Sequence, residues 1–400
     1  MRYFKSSELY LIRNVFQAVI NGGHKNEIKR ILENKHINWE ILDKLIIYHE
    51  IAPAFYLAIS SLFHLIPQKT KTLLEWFYFN TGFKNHIIFE EFIKLYDKFK
   101  EKGIEILPIK GVAFLLDLYD SFYVRSIADI DILIRREYYS KGESVLMNLG
   151  FQKDLHGLEE AYWKLYQCHI SFRDKEKNND LPIMVDLHWA LDFKRKGRYV
   201  LANLWKRLRT IRIKNNNNIN LLSPEDNLFS LALHLRRFGN PFSFKYVIDT
   251  ALLFRKYGSD FDWDYFLKEA KKEGLWSCSY FLIFLANSII EIPELKYSAK
   301  KIPLSNYKRK IIEKLILKKL CFLNDLLAQN LRKNYLQSHF LFYDGFFEPI
   351  YYILNIPLEQ FAKFYNLKPY NQKTRIKYSF RFLYIPTKLL FFNFNNIPFA

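Results

Sequence analysis

Two aspartates inside an apolar run constrain this chain more than any other feature. Residues Ile127–Ile134 read IADIDILI, with Asp129 and Asp131 two positions apart. Successive side chains of a strand alternate between faces, so both carboxylates are expected on one side. Neighbouring charges in a half-buried strand are costly unless a cation neutralises them, and a bound metal ion is the simplest such partner. The run closes a longer unit. A strand is expected over Ile104–Ile109, a turn at Lys110-Gly111, an apolar helix over Val112–Tyr119, a loop, and a second strand over Ile127–Ile134.

Further along, the pattern repeats with a third carboxylate. Asp186 lies within IMVDLHW (Ile183–Trp189), between Val185 and Leu187. Between the two acidic segments a helix is expected over Tyr138–Leu149, closed by Gly150. A strand over His169–Arg173 and a polar hairpin loop over Asp174–Asp180 follow. Strand, helix, strand, helix and hairpin make an α+β fold: a small mixed sheet with helices on one side, flanked by helical N-terminal and C-terminal regions.

Three carboxylates on neighbouring strands suit phosphoryl or nucleotidyl transfer. Mg²⁺ takes oxygen ligands and usually binds through one or two carboxylates plus substrate phosphates. Two ions about 3.5–4 Å apart clamp the attacking and leaving oxygens of an in-line displacement. On this reading Asp129, Asp131 and Asp186 are metal ligands, and Asp186 also receives the proton of the nucleophile. Lys110 and Gly111 stand at a strand-to-helix junction, where free N–H groups bind phosphate and glycine permits close approach. Arg125 is a candidate for a phosphate contact or for pairing with the aspartates. His188, two residues after Asp186, shares its strand face as a nucleotide contact or a support for a ligand; His169 is a weaker candidate of the same kind.

The segments IKG (Ile109–Gly111), YVRSIADIDILI (Tyr123–Ile134) and VDLHW (Val185–Trp189) resemble a largely uncharacterised bacterial nucleotidyltransferase family, a branch of the polymerase-beta-like superfamily. The likeness continues in LSPEDNLFSLALHLRRF (Leu222–Phe238) and YVIDTALLF (Tyr246–Phe254), and spans roughly residues 35–290. It implies metal-ion catalysis by an Asp-x-Asp strand and a later acid, matched here by Asp129, Asp131 and Asp186. The superfamily's usual Gly-Ser turn is absent, since Val112 follows Gly111; the branch carries Lys-Gly there, so Lys110 compensates.

The flanks read as helices. Leu9, Leu11, Ile12, Val15, Phe16 and Val19 form a stripe ended by Gly22-Gly23, and Asn38-Trp39-Glu40 opens another helix. Two more are expected at Thr72–Phe79 and Asn85–Lys102, with Gly103 as the stop. Ser223-Pro224-Glu225-Asp226 is a strong helix start, with Gly239 as its end. Helices over Phe244–Tyr257 and Asp264–Glu273 follow, with Asp249 expected to cap or to pair locally, Lys245 being one candidate partner. His49 and His64 read as structural or exposed; His234 reads as structural, with a nucleotide-facing role as the alternative. The expected organisation is a helical cap (1–102), a catalytic core (103–210), a helical substrate wall (211–300) and a basic aromatic tail (301–400).

Net charge is +19, and residues 301–400 contribute 16 Lys/Arg against 5 Asp/Glu. A helix is expected over Lys308–Leu327, with Pro386 and Pro398 excluding one long terminal helix. Interleaved aromatic and basic side chains suit single-stranded nucleic acid, a membrane surface, or a packed helical tail. Cys168, Cys278 and Cys321 are too far apart for a metal cluster or disulfide framework. No apolar run reaches the ~18 to 20 residues of a membrane span, and MRYFKSSELYLIRNVF lacks a signal-peptide core. A soluble cytoplasmic protein without stable membrane insertion is expected. Its expected activity is transfer of a nucleoside monophosphate from a nucleoside triphosphate such as ATP to a small molecule, a peptide or protein, or RNA. Two Mg²⁺ ions, or Mn²⁺, are the expected cofactors. The alternatives are a nucleotide- or RNA-binding module of the same fold without turnover, and a membrane-surface scaffold.

Overall fold

The computed structural model of the chain describes residues 6–174, 182–193, 201, 203–213, 218–238, 243–320 and 340–385. At its centre stands a five-stranded mixed sheet in the order β1-β2-β5-β4-β3. The strands are β1 (Ile106–Pro108), β2 (Ile130–Ile134), β3 (Phe151–Asp154), β4 (His169–Asp174) and β5 (Met184–His188). β2 and β5 run parallel, and the remaining neighbours are antiparallel. The fold is α+β with helical flanks, as the alternation of patterns implies. β6 (Arg209–Arg212) and β7 (Asn218–Leu221) form a second, two-stranded sheet.

The strands are shorter than the apolar runs suggest. β2 begins at Ile130, so Asp129 lies at a bend just before it and only Asp131 is a strand residue. β3 and the helix Glu160–Tyr166 had no distinct sequence signal. Residues 175–180 of the expected hairpin loop, Gly239, Asn215–Asn217, Cys321 and the chain from Pro386 onward lie outside the described residues.

Before the sheet come α1 (Ser7–Asn21), α2 (Lys25–Asn34), α3 (Trp39–Tyr48), α4 (Ala52–Ile59) and α5 (Gln68–Glu101). The side chains of Ser6 and Asn38 cap α1 and α3 by accepting from Leu9 N and Ile41 N. α5 is one helix of 34 residues where the sequence suggests two. Gly82, which lies between the two expected spans, packs beneath the Tyr123 ring, where a Cβ would overlap it. The glycine serves close approach rather than termination.

Within and after the sheet lie α6 (Lys110–Asp117), α7 (Tyr139–Asn148), α8 (Glu160–Tyr166), α9 (Pro224–Phe238), α10 (Phe244–Tyr257), α11 (Trp263–Glu273), α12 (Trp276–Ile289), α13 (Pro293–Lys301) and α14 (Asn306–Leu320). Ser223 caps α9 as expected, its Oγ accepting from Asp226 N at 3.1 Å. The helix expected over Lys308–Leu327 is α14, and the end of the expected span falls among residues that are not described. Short helices at Glu348–Leu354, Leu358–Phe364 and Gln372–Ser379 follow in the tail. No helix of the described residues is long and apolar enough to cross a membrane.

Two apolar cores result. Ile130, Ile132 and Ile134 of β2, Val185 and Leu187 of β5 and Phe172 of β4 pack with Phe92 and Phe99 of α5 and Leu146 of α7. Gly142 lets α7 lie close, since a Cβ there would meet Ile134 and Phe99 at 3.0 and 3.1 Å. The second core unites the N-terminal helices with those after the sheet, as Phe16 of α1 meets Phe244 of α10 edge-on with ring centroids 5.8 Å apart. The N-terminal helices therefore share their interior with the later helical region.

Buried charges fasten the sheet region to α10. Arg125 donates from Nε and Nη2 to Asp249 at 2.8 and 2.9 Å, and Tyr119 donates to the same carboxylate at 2.7 Å. Asp249 thus pairs across the fold, whereas Lys245, the candidate local partner, meets Glu50 at 2.7 Å. Asp117, at the end of α6, accepts from Arg209, Lys256 and Tyr257. Removing one partner of a buried pair strands the other charge. Arg125→Ala should therefore lose about 3–5 kcal/mol in urea unfolding, and Arg125→Met with Asp249→Leu clearly less.

His49 is buried, stacked on Phe244 at 4.2 Å, with neither ring nitrogen hydrogen-bonded among the described residues. Burial lowers its pKa from 6.5 to about 3. The unfolded chain takes up a proton below pH 6.5 that the folded chain refuses. The histidine's contribution is thus intact above pH 6.5 and lost as pH falls toward 3. Between pH 7 and 5 the wild type should lose about 2 kcal/mol relative to His49→Phe, read as the difference between their urea unfolding curves.

Candidate active site

The parallel pairing of β2 with β5 sets Asp131 directly beside Asp186, and the antiparallel pairing of β5 with β4 sets Asp186 beside Ser171. The next rung holds Leu133, His188 and His169. Side chains in register on adjacent strands share a face, so these polar groups gather on the face opposite Ile132 and Leu187. The alternation that buries one side of the sheet thereby builds the site on the other.

Asp131 is the most enclosed of the acids, with 3% of its surface exposed. Its Oδ1 accepts from Lys110 Nζ at 2.6 Å and from His188 Nε2 at 2.8 Å. Burial acts to raise its pKa, but the Lys110 charge and the His188 hydrogen bond outweigh burial and hold the carboxyl well below the usual range. Lys110 has φ +52°, a left-handed conformation rare for a side chain of its length, at the first residue of α6. Ile109 N, just before it, donates to Asp131 O at 3.1 Å. Backbone and side chain of the elbow thus both hold to one strand residue. Burial lowers the Lys110 pKa, and the charges of Asp131, Asp186 and Asp129 raise it by more.

Asp186 accepts from Ser171 Oγ at 2.6 Å and has His169 Nε2 at 3.7 Å from Oδ2. His188 is buried, its ring stacked on His169 at 4.6 Å and 27°. Cys168 Sγ lies 3.6 Å from His169 Nδ1. Ligand atoms of Cys168, His169 and His188 fall within 4.8 Å of one another. Nearly parallel rings do not converge their nitrogen lone pairs on one point, as tetrahedral ligation requires. The trio supports His188. Asp129 is half-buried at the foot of β2; burial, then the charges of Asp131 and Asp186, push its carboxyl up to about 7.

The fold therefore brings Lys110, Asp129, Asp131, Asp186 and His188 together. Arg125 is near but committed: its Nε and Nη2 face Asp249, and Nη1 leans on Ser126 O at 3.4 Å. Of the aspartates, its partner is Asp249 rather than Asp129 or Asp131. Gly111 is buried, and a Cβ there would stand 3.0 Å from Ile127 Cγ2, so its smallness serves packing against the loop. Ser171 was missed, although a signal was present. In HISFR, polar residues 169 and 171 alternate with Ile170 and Phe172, the same pattern that marked Asp186 and His188.

Ligand atoms of Asp131, Asp186 and His188 lie within 4.8 Å of one another. Two carboxylates and an imidazole form a donor set for a divalent ion, the imidazole through a ring nitrogen that carries no proton, so not through Nε2 while it donates to Asp131; oxygen favours Mg²⁺ or Mn²⁺ and the imidazole favours Mn²⁺ over Mg²⁺. Ser171 fixes Asp186 by its hydrogen bond, as an outer partner fixes a metal ligand. The residues present fit such an ion.

No curated protein and no solved structure matches the chain. The model of an uncharacterised nucleotidyltransferase family matches residues 35–291, a span covering the whole five-stranded sheet and α3 to α12. That span is more than half of the chain, and the chain belongs to this uncharacterised nucleotidyltransferase family.

Proposed function

We propose that the chain transfers a nucleoside monophosphate from a nucleoside triphosphate to an acceptor and releases pyrophosphate. The observation that carries this reading is the in-register pair Asp131 and Asp186, with Lys110 reaching the same carboxylate from a strand-to-helix elbow. An acceptor oxygen or nitrogen attacks the α-phosphorus, the bond to the β-phosphate oxygen breaks, and the acceptor's proton passes to a base. Asp131, Asp186 and His188 are the residues to hold a divalent ion, with Asp129 beside them for a second. Such an ion supplies positive charge to phosphate oxygens as a Lewis acid.

The remaining work falls to the chain. No side chain caps the start of α6, which leaves its first N–H groups for an anion. Lys110 supplies a point charge to the phosphates. Asp186, fixed by Ser171, orients the nucleophile and takes up its proton. Positioning and charge stabilisation together provide most of the rate enhancement in this class of reaction. The acceptor belongs to one of three classes, a small molecule, a peptide or protein, or an RNA end.

One observation favours the binding-module reading. Lys110 and His188 already satisfy Asp131, so the buried carboxylate is retained without needing turnover to account for it. The two readings separate in one assay: incubation with α-labelled triphosphates, Mg²⁺ or Mn²⁺ and mixed acceptors, reading pyrophosphate and labelled product. Wild type should release pyrophosphate, and Asp131→Asn should lower the rate by about a thousand-fold or more. Full activity in Asp131→Asn would remove the site from the chemistry, and no release by wild type would leave the binding module standing. Ser171→Ala should weaken Mn²⁺ binding about ten-fold while leaving the fold intact, measured by calorimetry and circular dichroism.

A further inference from the structure

We infer that Lys110 is a built-in counterion that competes with the divalent ion for Asp131, so that the arriving ion releases the ammonium toward the phosphates. The inference rests on the metal reading above and adds an order of events and a coupling between two ligands.

Three features carry it. Lys110 Nζ sits 2.6 Å from Asp131 Oδ1, the oxygen that also accepts from His188 Nε2 at 2.8 Å. Oδ1 is thereby taken, an ion at this carboxylate is left Oδ2, and an ammonium and a dication held by one carboxylate repel strongly. Second, the lysine is the removable partner. Its side chain is 20% exposed against 4% for that of Asp131 and 3% for that of His188, so it covers the carboxylate from the solvent side. Third, the pivot is fixed while the lever is free. The backbone at Lys110 is held left-handed, and Gly111 is pressed against Ile127 and the Arg125 guanidinium. The four-carbon stem can therefore swing without moving the elbow.

The physical consequence is a two-signed coupling. While no ion is present, Lys110 makes a buried acid tolerable. Once an ion takes the carboxylate, the ammonium loses the one acceptor it is hydrogen-bonded to among the described residues, and a triphosphate provides another. Ion and triphosphate therefore favour each other's binding through one side chain. A lysine that merely braces the sheet would, when removed, weaken both.

The test is a titration with Mn²⁺ alone, following the free ion by electron paramagnetic resonance, in wild type, Lys110→Met and Lys110→Gln. Both variants should bind Mn²⁺ about ten-fold tighter than wild type, and the Mn²⁺-loaded variants should bind a non-hydrolysable triphosphate analogue about ten-fold more weakly. Equal or weaker Mn²⁺ binding in folded variants overturns the competition and leaves the metal reading standing. Absence of Mn²⁺ binding in all three proteins overturns both. A second measurement uses only the wild type, so that no variant need fold. Amine acylation read by mass spectrometry should rise at Lys110 when Mn²⁺ is added, and labelling that stays unchanged overturns the inference.

Discussion

A carboxylate buried in the middle of a sheet must be neutralised before the sheet can form, and at Asp131 that requirement is met from within the chain. Lys110 and His188 approach one oxygen from two different elements. One stands at the end of β1's connection to α6, the other on the neighbouring parallel strand. The pair thereby reports that β1, β2, β5 and α6 have assembled in register. Of the two partners Lys110 is the more exposed, so the acidic group lies beneath it.

The surroundings of this group are rigid for separate reasons. Arg125 and Tyr119 hold Asp249, while Arg209, Lys256 and Tyr257 hold Asp117, so the α6 segment and the loop after it are tied to α10 by hydrogen-bonded charges. Burying an ion pair gains little net stability over an apolar pair, but breaking one is costly. Such joints therefore act chiefly on geometry: they limit how α10 can sit against the sheet. The apolar face packed on α5 and α7 fixes the other side.

What was legible in the chain follows from contrast. Asp131 and Asp186 stand out because polar residues inside apolar strands have few structural reasons to be there, and their spacing names the face they share. Lys110 was visible through its position before a glycine at a strand end. Arg125 and Asp249 were individually visible, but their pairing spans 124 positions, and local reasoning assigned each a nearer partner. The single helix Gln68–Glu101 was read as two, with a gap between Phe79 and Asn85, and only Tyr123 lying across Gly82 accounts for the glycine in that gap. Asp129 was placed inside a strand that starts one residue later, since hydrogen-bond pairing rather than hydrophobicity sets where a strand begins.

By itself the sequence determined the α+β class, the acidic character of the site and the strands that carry it, because periodicity and burial cost are local properties. It also carried the family relationship, which rests on short runs of residues. Only the tertiary structure decided that β2 and β5 are neighbours in register and that Lys110 and His188 converge on one oxygen of Asp131. It also paired Arg125, which lies beside the Lys110-Gly111 elbow, with Asp249. Those outcomes depend on which distant side chains meet, and that is settled by packing the whole chain at once.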